Sequence, residues 1–103
     1  MKRGQVRWYN FPRPDKRRPV LILTRDAVLE YLADVTVAPI TSTVRDIPSE
    51  VYLDEADGMR GPCAVNLDHV KTVAKARLGR VIATLSPEQM RRVGRALRFA
   101  LDI

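Results

Sequence analysis

The chain has 103 residues, 18 Lys+Arg against 12 Asp+Glu and a formal net charge of +6. That length is one domain's worth, expected to span residues 1–103, and it can bury roughly two-thirds of its unfolded surface in one core. A single cysteine (Cys63) and a single histidine (His69) exclude an internal disulfide, a cysteine zinc cage and a multi-histidine metal site.

Gly4–Asn10 (GQVRWYN) alternates, with Val6 and Trp8 on one face and Arg7 and Tyr9 on the other, and reads as a first strand. FPRPDKRRP follows as a basic loop, because proline cannot donate to a ladder. Val20–Leu23 (VLIL) is a continuous apolar run, which predicts a strand buried on both faces. Asp26–Leu32 has helical spacing over about two turns, and Val35–Ile40 (VTVAPI) is a strand that Pro39 ends or bulges. Thr41–Pro48 is a polar loop, Glu50–Leu53 a short strand, and DEADGMRGP turn chemistry around Gly58 and Gly61. Cys63–Leu67 and His69–Val73 read as strands flanking Asp68, and Arg80–Leu85 as the last strand. The final segment opens with Ser86 as N-cap, Pro87 at the first helical position and Gln89 completing a capping box. Met90, Val93, Leu97, Ala100 and Leu101 form its apolar face. Short strands and one terminal helix predict a mainly β fold: a small SH3-like barrel with a helical cover.

No apolar run reaches the roughly 18 residues of a membrane span, and MKRGQVRWYN lacks the apolar stretch of a signal peptide. The expected setting is cytoplasmic, with no membrane association. The positive charge is concentrated in residues 1–25 and again in Arg91, Arg92, Arg95 and Arg98, which favours a polyanionic partner. Cys63, leading an apolar strand, reads as a buried structural thiol, and the Asp54/Glu55/Asp57 cluster as a solvated turn. Pro19 forces Arg18 into an extended backbone, and the buried strand after it fixes where that arginine starts. Its planar fork suits a phosphate or a developing phosphorane. Thr41, Ser42 and Thr43 set three hydroxyls at a strand end, able to bond phosphate oxygens or simply to cap a turn.

The run RRPVLILTRD, then VTVAPITS, then CAVNLDHVKTV and a closing amphipathic helix resembles the MazF/PemK (Kid) toxins. The opening MKRGQVRW also resembles that family's first strand, and the likeness extends from Lys2 to Leu101. The resemblance implies a sequence-specific endoribonuclease that cleaves single-stranded RNA without metal or other cofactor. It further implies an SH3-like barrel, a homodimer and a partner antitoxin. It places catalytic roles on Arg18, before the R-P-V proline, on Thr41 of P-I-T-S, and on Asp68. Phe11, Arg13, Lys16, Arg17, Ser42, Thr43, Arg45, Asn66 and His69 complete the expected RNA-binding set. The first loop is shorter than in many members, with Asp15 its only carboxylate, and Asn66 stands where the Kid branch carries an acid–base arginine. Asp68, His69 and solvent hydroxide are therefore all candidates for the general base. Products would be a 2′,3′-cyclic phosphate and a 5′-hydroxyl. The antitoxin is expected to be an acidic, largely disordered segment drawn to Arg13, Lys16, Arg17 and Arg18. Two other readings use the same basic blocks: a non-catalytic SH3-like binding module stacking bases on Trp8, Tyr9 and Phe11, and a CcdB-like toxin that binds DNA gyrase.

Overall fold

Strand β1, Gln5–Asn10, pairs antiparallel with β2, Arg17–Ile22, from Val6 opposite Leu21 to Asn10 opposite Arg17. The structure, a computed structural model, describes residues 1–12 and 17–103. A one-turn helix α1 (Asp26–Leu29) leads into β3, Asp34–Thr41, which pairs with β2 from Val20 opposite Pro39 to Ile22 opposite Val37. The helix has half the expected length: Arg25 gives it no side-chain cap, and only Leu29 finds a buried place. Tyr31 and Leu32 are exposed, so nothing offsets the cost of extending so short a helix.

The far flank of β3 has two successive partners. Strand β6 (Lys71–Ala74) runs beside Asp34–Val37, and β5 (Cys63–Asn66) takes over at Ile40 and Thr41. Pro39 lies between them, and the strand continues through it rather than ending. A residue without an N–H is tolerated there because neither β6 nor β5 pairs with it. Strand β4 (Glu50–Leu53) borders β5, and β7 (Leu78–Thr84) borders β1. The seven strands follow the order β4-β5-β3-β2-β1-β7, with β6 attached to β3. The predicted barrel is therefore an open, antiparallel sheet among the described residues, ending at β4 and β7. The β1–β7 pairing slips register twice, between Val6 and Arg7 and between Arg7 and Tyr9. Such slips increase local twist and carry β7 out of a regular ladder.

The central strands are buried on both faces, as VLIL predicts. Leu21, Leu23, Ala38 and Ile40 enter a core with Val93 and Ala96 of helix α2 (Pro87–Leu101). Val20, Ile22, Val35 and Val37 point the other way, into a core with Tyr9, Phe11, Leu29 and Val73. Each such side chain contributes roughly 1.5–3 kcal/mol by leaving water. Helix α2 starts as expected, with Ser86 Oγ accepting from the Gln89 N–H at 3.1 Å. The capping box is only half made, because the Gln89 amide instead donates to Asp57 Oδ1 at 2.9 Å. That bond ties the helix start to a 3₁₀ turn, Glu55–Asp57, closed by Gly58 at φ 90°. Leu101 is 52% exposed, so the buried stripe stops short of it. His69 also departs from expectation. Leu67–His69 is a 3₁₀ turn, not the start of a strand, because the Asn66 side chain accepts the Asp68 N–H at 3.0 Å and caps it.

Candidate active site

The β2–β3 ladder ends at Val20 opposite Pro39, and carrying its count two residues past that end would bring Arg18 level with Thr41. Strand alternation gives the same answer: Arg18 shares a face with Val20 and Ile22, and Thr41 with Val37. Both residues, with Ile40, line two adjoining clefts. The pair thus sits on the ridge where the clefts meet.

The first cleft is polar and is lined further by Phe11, Pro39, Arg45, Asn66, His69 and Lys71. Phe11 is 8% exposed, packed edge-on to Tyr9 at 4.9 Å, with Lys71 Nζ 4.6 Å above its ring. It forms a wall, and neither it nor the equally buried Tyr9 is a free stacking surface. Arg45 is held to β4 by Glu50, whose carboxylate accepts from the Arg45 N–H at 2.9 Å and from Nη1 at 3.2 Å. Thr41 Oγ1 accepts the Thr43 N–H at 3.1 Å, which occupies one lone pair and leaves its own proton to donate outward.

The second cleft is largely apolar, with Trp8, Pro19, Met59, Pro62 and Ile82 on its walls, and Arg17, Ser42 and Arg60 at its margin. Its volume, about 460 Å³, lies inside the ordinary range of ligand pockets, roughly 300–1,000 Å³. The Arg17 guanidinium lies 4.4 Å over the Trp8 ring, an arrangement that presents a flat cationic surface. Cys63 also borders this cleft, but burial, then Asp57 and Asp54, pushes its thiol above the ordinary value. A neutral thiol is a poor nucleophile, in keeping with a structural role.

The structure therefore gathers Arg18, Thr41, Phe11, Arg45, Asn66 and His69 on one cleft, and Arg17 and Ser42 on its neighbour. Asp68 and Thr43 line neither. Asp68 Oδ2 accepts from Ser49 Oγ at 2.6 Å, which pins the 66–69 turn to the loop before β4. Arg13 and Lys16 lie outside the described residues. Sequence reasoning missed Lys71 and Arg60, and it named Trp8 only as a stacking surface of the alternative binding module, whereas Trp8 lines the second cleft. Lys71 was findable from period-2 spacing, since it shares a strand face with buried Val73.

An open antiparallel sheet with an arginine and a hydroxyl on two shared clefts, edged by Arg17, Arg45, Arg60 and Lys71, defines a small β protein suited to holding a polyanion. The profile of PemK-like, MazF-like toxins of type II toxin–antitoxin systems matches residues 2–101, and the chain belongs to that family. It is 44% identical over 89 residues to endoribonuclease MazF3 of Mycobacterium tuberculosis, covering 86% of each chain. The fold is similar to that of the Mycobacterium tuberculosis toxin MazF-mt6, with a TM-score of 0.88, 39% identity and coverage of 96% of this chain and 97% of that one. It is equally similar to a mycobacterial endoribonuclease solved in complex with its cognate antitoxin, with a TM-score of 0.88, 31% identity and coverage of 100% and 96%. No helix among the described residues is long and apolar enough to cross a membrane.

Proposed function

We propose that this chain is a single-domain, sequence-specific endoribonuclease toxin that cleaves single-stranded RNA and is neutralised by a cognate antitoxin. The observation that carries the reading is that Arg18 and Thr41 both line the same two clefts. Cleavage by internal attack needs three things. The 2′-hydroxyl loses its proton as its oxygen bonds phosphorus, the phosphorane's charge is stabilised, and the 5′-oxygen leaves with a proton. Arg18 supplies a fixed positive charge and a forked donor for the phosphorane, so the step requires no bound ion. Thr41 donates to a second phosphate oxygen and orients it, while solvent takes the 2′-hydroxyl proton and returns one to the departing 5′-oxygen. Products are a 2′,3′-cyclic phosphate and a 5′-hydroxyl, and DNA is spared because it lacks the attacking group.

Support for the activity comes from relatives that are themselves named endoribonucleases, and support for an antitoxin from the mycobacterial complex. The antitoxin is an acidic segment that competes with RNA for the cationic clefts and for Arg13, Lys16 and Arg17. A homodimer accounts for the apolar side chains left outside the cores: Phe99, Leu101 and Ile103 are 60%, 52% and 80% exposed. The protein acts in the cytoplasm, where its substrate is. Incubation with mixed-sequence single-stranded RNA and the matching DNA tests the activity. RNA is cut and DNA is not; intact RNA, or DNA cut equally, rejects the reading.

A further inference from the structure

Asn66 is 8% exposed and makes two hydrogen bonds within the 66–69 turn. Its Oδ1 accepts the Asp68 backbone N–H at 3.0 Å, and its Nδ2 lies 3.2 Å from His69 Nδ1. The backbone N–H can only donate, so it fixes which end of the amide faces it. The other end is then an NH₂, which can only donate as well. His69 Nδ1 must accept, and in the neutral ring the proton therefore sits on Nε2. Asn66 cannot turn over without setting its NH₂ against the Asp68 N–H.

His69 is exposed and lines the polar cleft together with Arg18, Thr41, Arg45 and Lys71. With Nδ1 taken by Asn66, Nε2–H is the ring atom left for a ligand. Arg18 and Lys71 on the same cleft, beside an Arg45 that Glu50 already pairs, favour an anionic oxygen over a base edge. We infer that Asn66 is a positioning residue that locks His69 in the Nε2–H tautomer, and that this N–H donates to an RNA phosphate oxygen beside the one held by Arg18 and Thr41. The inference rests on the endoribonuclease reading for its ligand but not for its tautomer. It also removes His69 from the candidates for the general base, because the nitrogen facing the ligand carries no free lone pair.

His69 is the only histidine in the chain, so selective ¹⁵N-histidine labelling gives one pair of ring signals. With the ring neutral, long-range ¹H–¹⁵N correlation spectra are expected to show protonated Nε2 and unprotonated Nδ1. Asn66→Asp replaces the donor with an acceptor and is expected to move the proton to Nδ1. Non-cleavable 2′-O-methyl RNA of mixed sequence then serves as the binding probe. Asn66→Asp and His69→Ala are expected to weaken its binding roughly 10- to 100-fold, the loss of one hydrogen bond to a charged group. His69→Gln, which keeps an N–H donor, is expected to recover most of it. His69 stands on an exposed turn, so these two variants remain informative even where the buried Asn66 change unfolds the chain. A wild-type ring protonated on Nδ1 overturns the inference whether or not the protein cuts RNA. Unchanged RNA binding in His69→Ala overturns the donor role. If the wild-type protein binds the probe through His69 but cuts nothing, the endoribonuclease reading fails and the donor role stands.

Discussion

Arg18 and Thr41 line the same two clefts, so removing them singly and together measures whether they act on one phosphate. Arg18 is exposed, and Arg18→Ala is expected to change folding stability by no more than about 0.5 kcal/mol. The transition state loses a preorganised charged donor, which costs roughly 3–4 kcal/mol, or about 10²- to 10³-fold in the cleavage step. Thr41→Val keeps the shape and removes one hydrogen bond to a charged oxygen, about 1.5–3 kcal/mol. The Thr43 N–H that this hydroxyl also accepts is exposed, and water replaces that bond. If both groups hold one phosphorane, the double variant falls short of the sum by a coupling of roughly 0.5–3 kcal/mol. Single-turnover cleavage of a fixed RNA by the four proteins, each checked for folding by circular dichroism, supplies the cycle. Strict additivity, or a folded Arg18→Ala protein that cuts at the wild-type rate, refutes the shared-phosphate geometry.

Leu21 is fully buried between β2 and helix α2, and Leu21→Ala is expected to lower the urea unfolding free energy by roughly 2–5 kcal/mol; a loss under 1 kcal/mol contradicts the core assignment. Gly58 has φ 90°, and an added Cβ would meet Ala83 Cβ at 3.1 Å, so Gly58→Ala is expected to lower the melting temperature measurably. Burial, with Asp57 and Asp54, raises the Cys63 thiol in the folded chain. The unfolded thiol then ionises first, so stability holds below its ordinary value, about 8.5, and falls as pH rises beyond it. Cys63→Ala should flatten that alkaline decline in denaturant melts, and an unchanged slope counts against the assignment. Glutamate at positions 13, 16 and 17 should weaken antitoxin and RNA binding together in titrations. Antitoxin affinity that survives while RNA cleavage collapses separates the two sites.

The parts of the fold that were legible from sequence are those set by local chemistry. VLIL carries no polar residue to turn toward water, so its burial on both faces follows from the letters alone. Ser86 and Pro87 announce helix α2 for the same kind of reason. The mainly β fold with its terminal helix was legible, whereas the sheet's stopping at β4 and β7 was not, because which strands pair is a long-range matter that alternation does not encode. Arg18 and Thr41 stood out one at a time, yet their meeting on shared clefts depends on how β2 and β3 pack, which the letters do not encode. His69 read as part of a strand because apolar neighbours mask a turn made by one side-chain cap, Asn66 onto the Asp68 N–H. Asp68, a catalytic candidate by the family resemblance, is bonded to Ser49 and lines neither cleft, which the chain order alone did not show.

The central claim is metal-independent cleavage by internal attack, and the ends left on the RNA test it most directly. Mixed single-stranded RNA is incubated with the purified protein in excess EDTA, and the new termini are mapped by ligation chemistry and mass. The account predicts cuts at a recurring sequence, each leaving a 2′,3′-cyclic phosphate upstream and a 5′-hydroxyl downstream. Cleavage abolished by EDTA, or leaving 5′-phosphate ends, contradicts it, since neither arises from 2′-oxygen attack stabilised by Arg18.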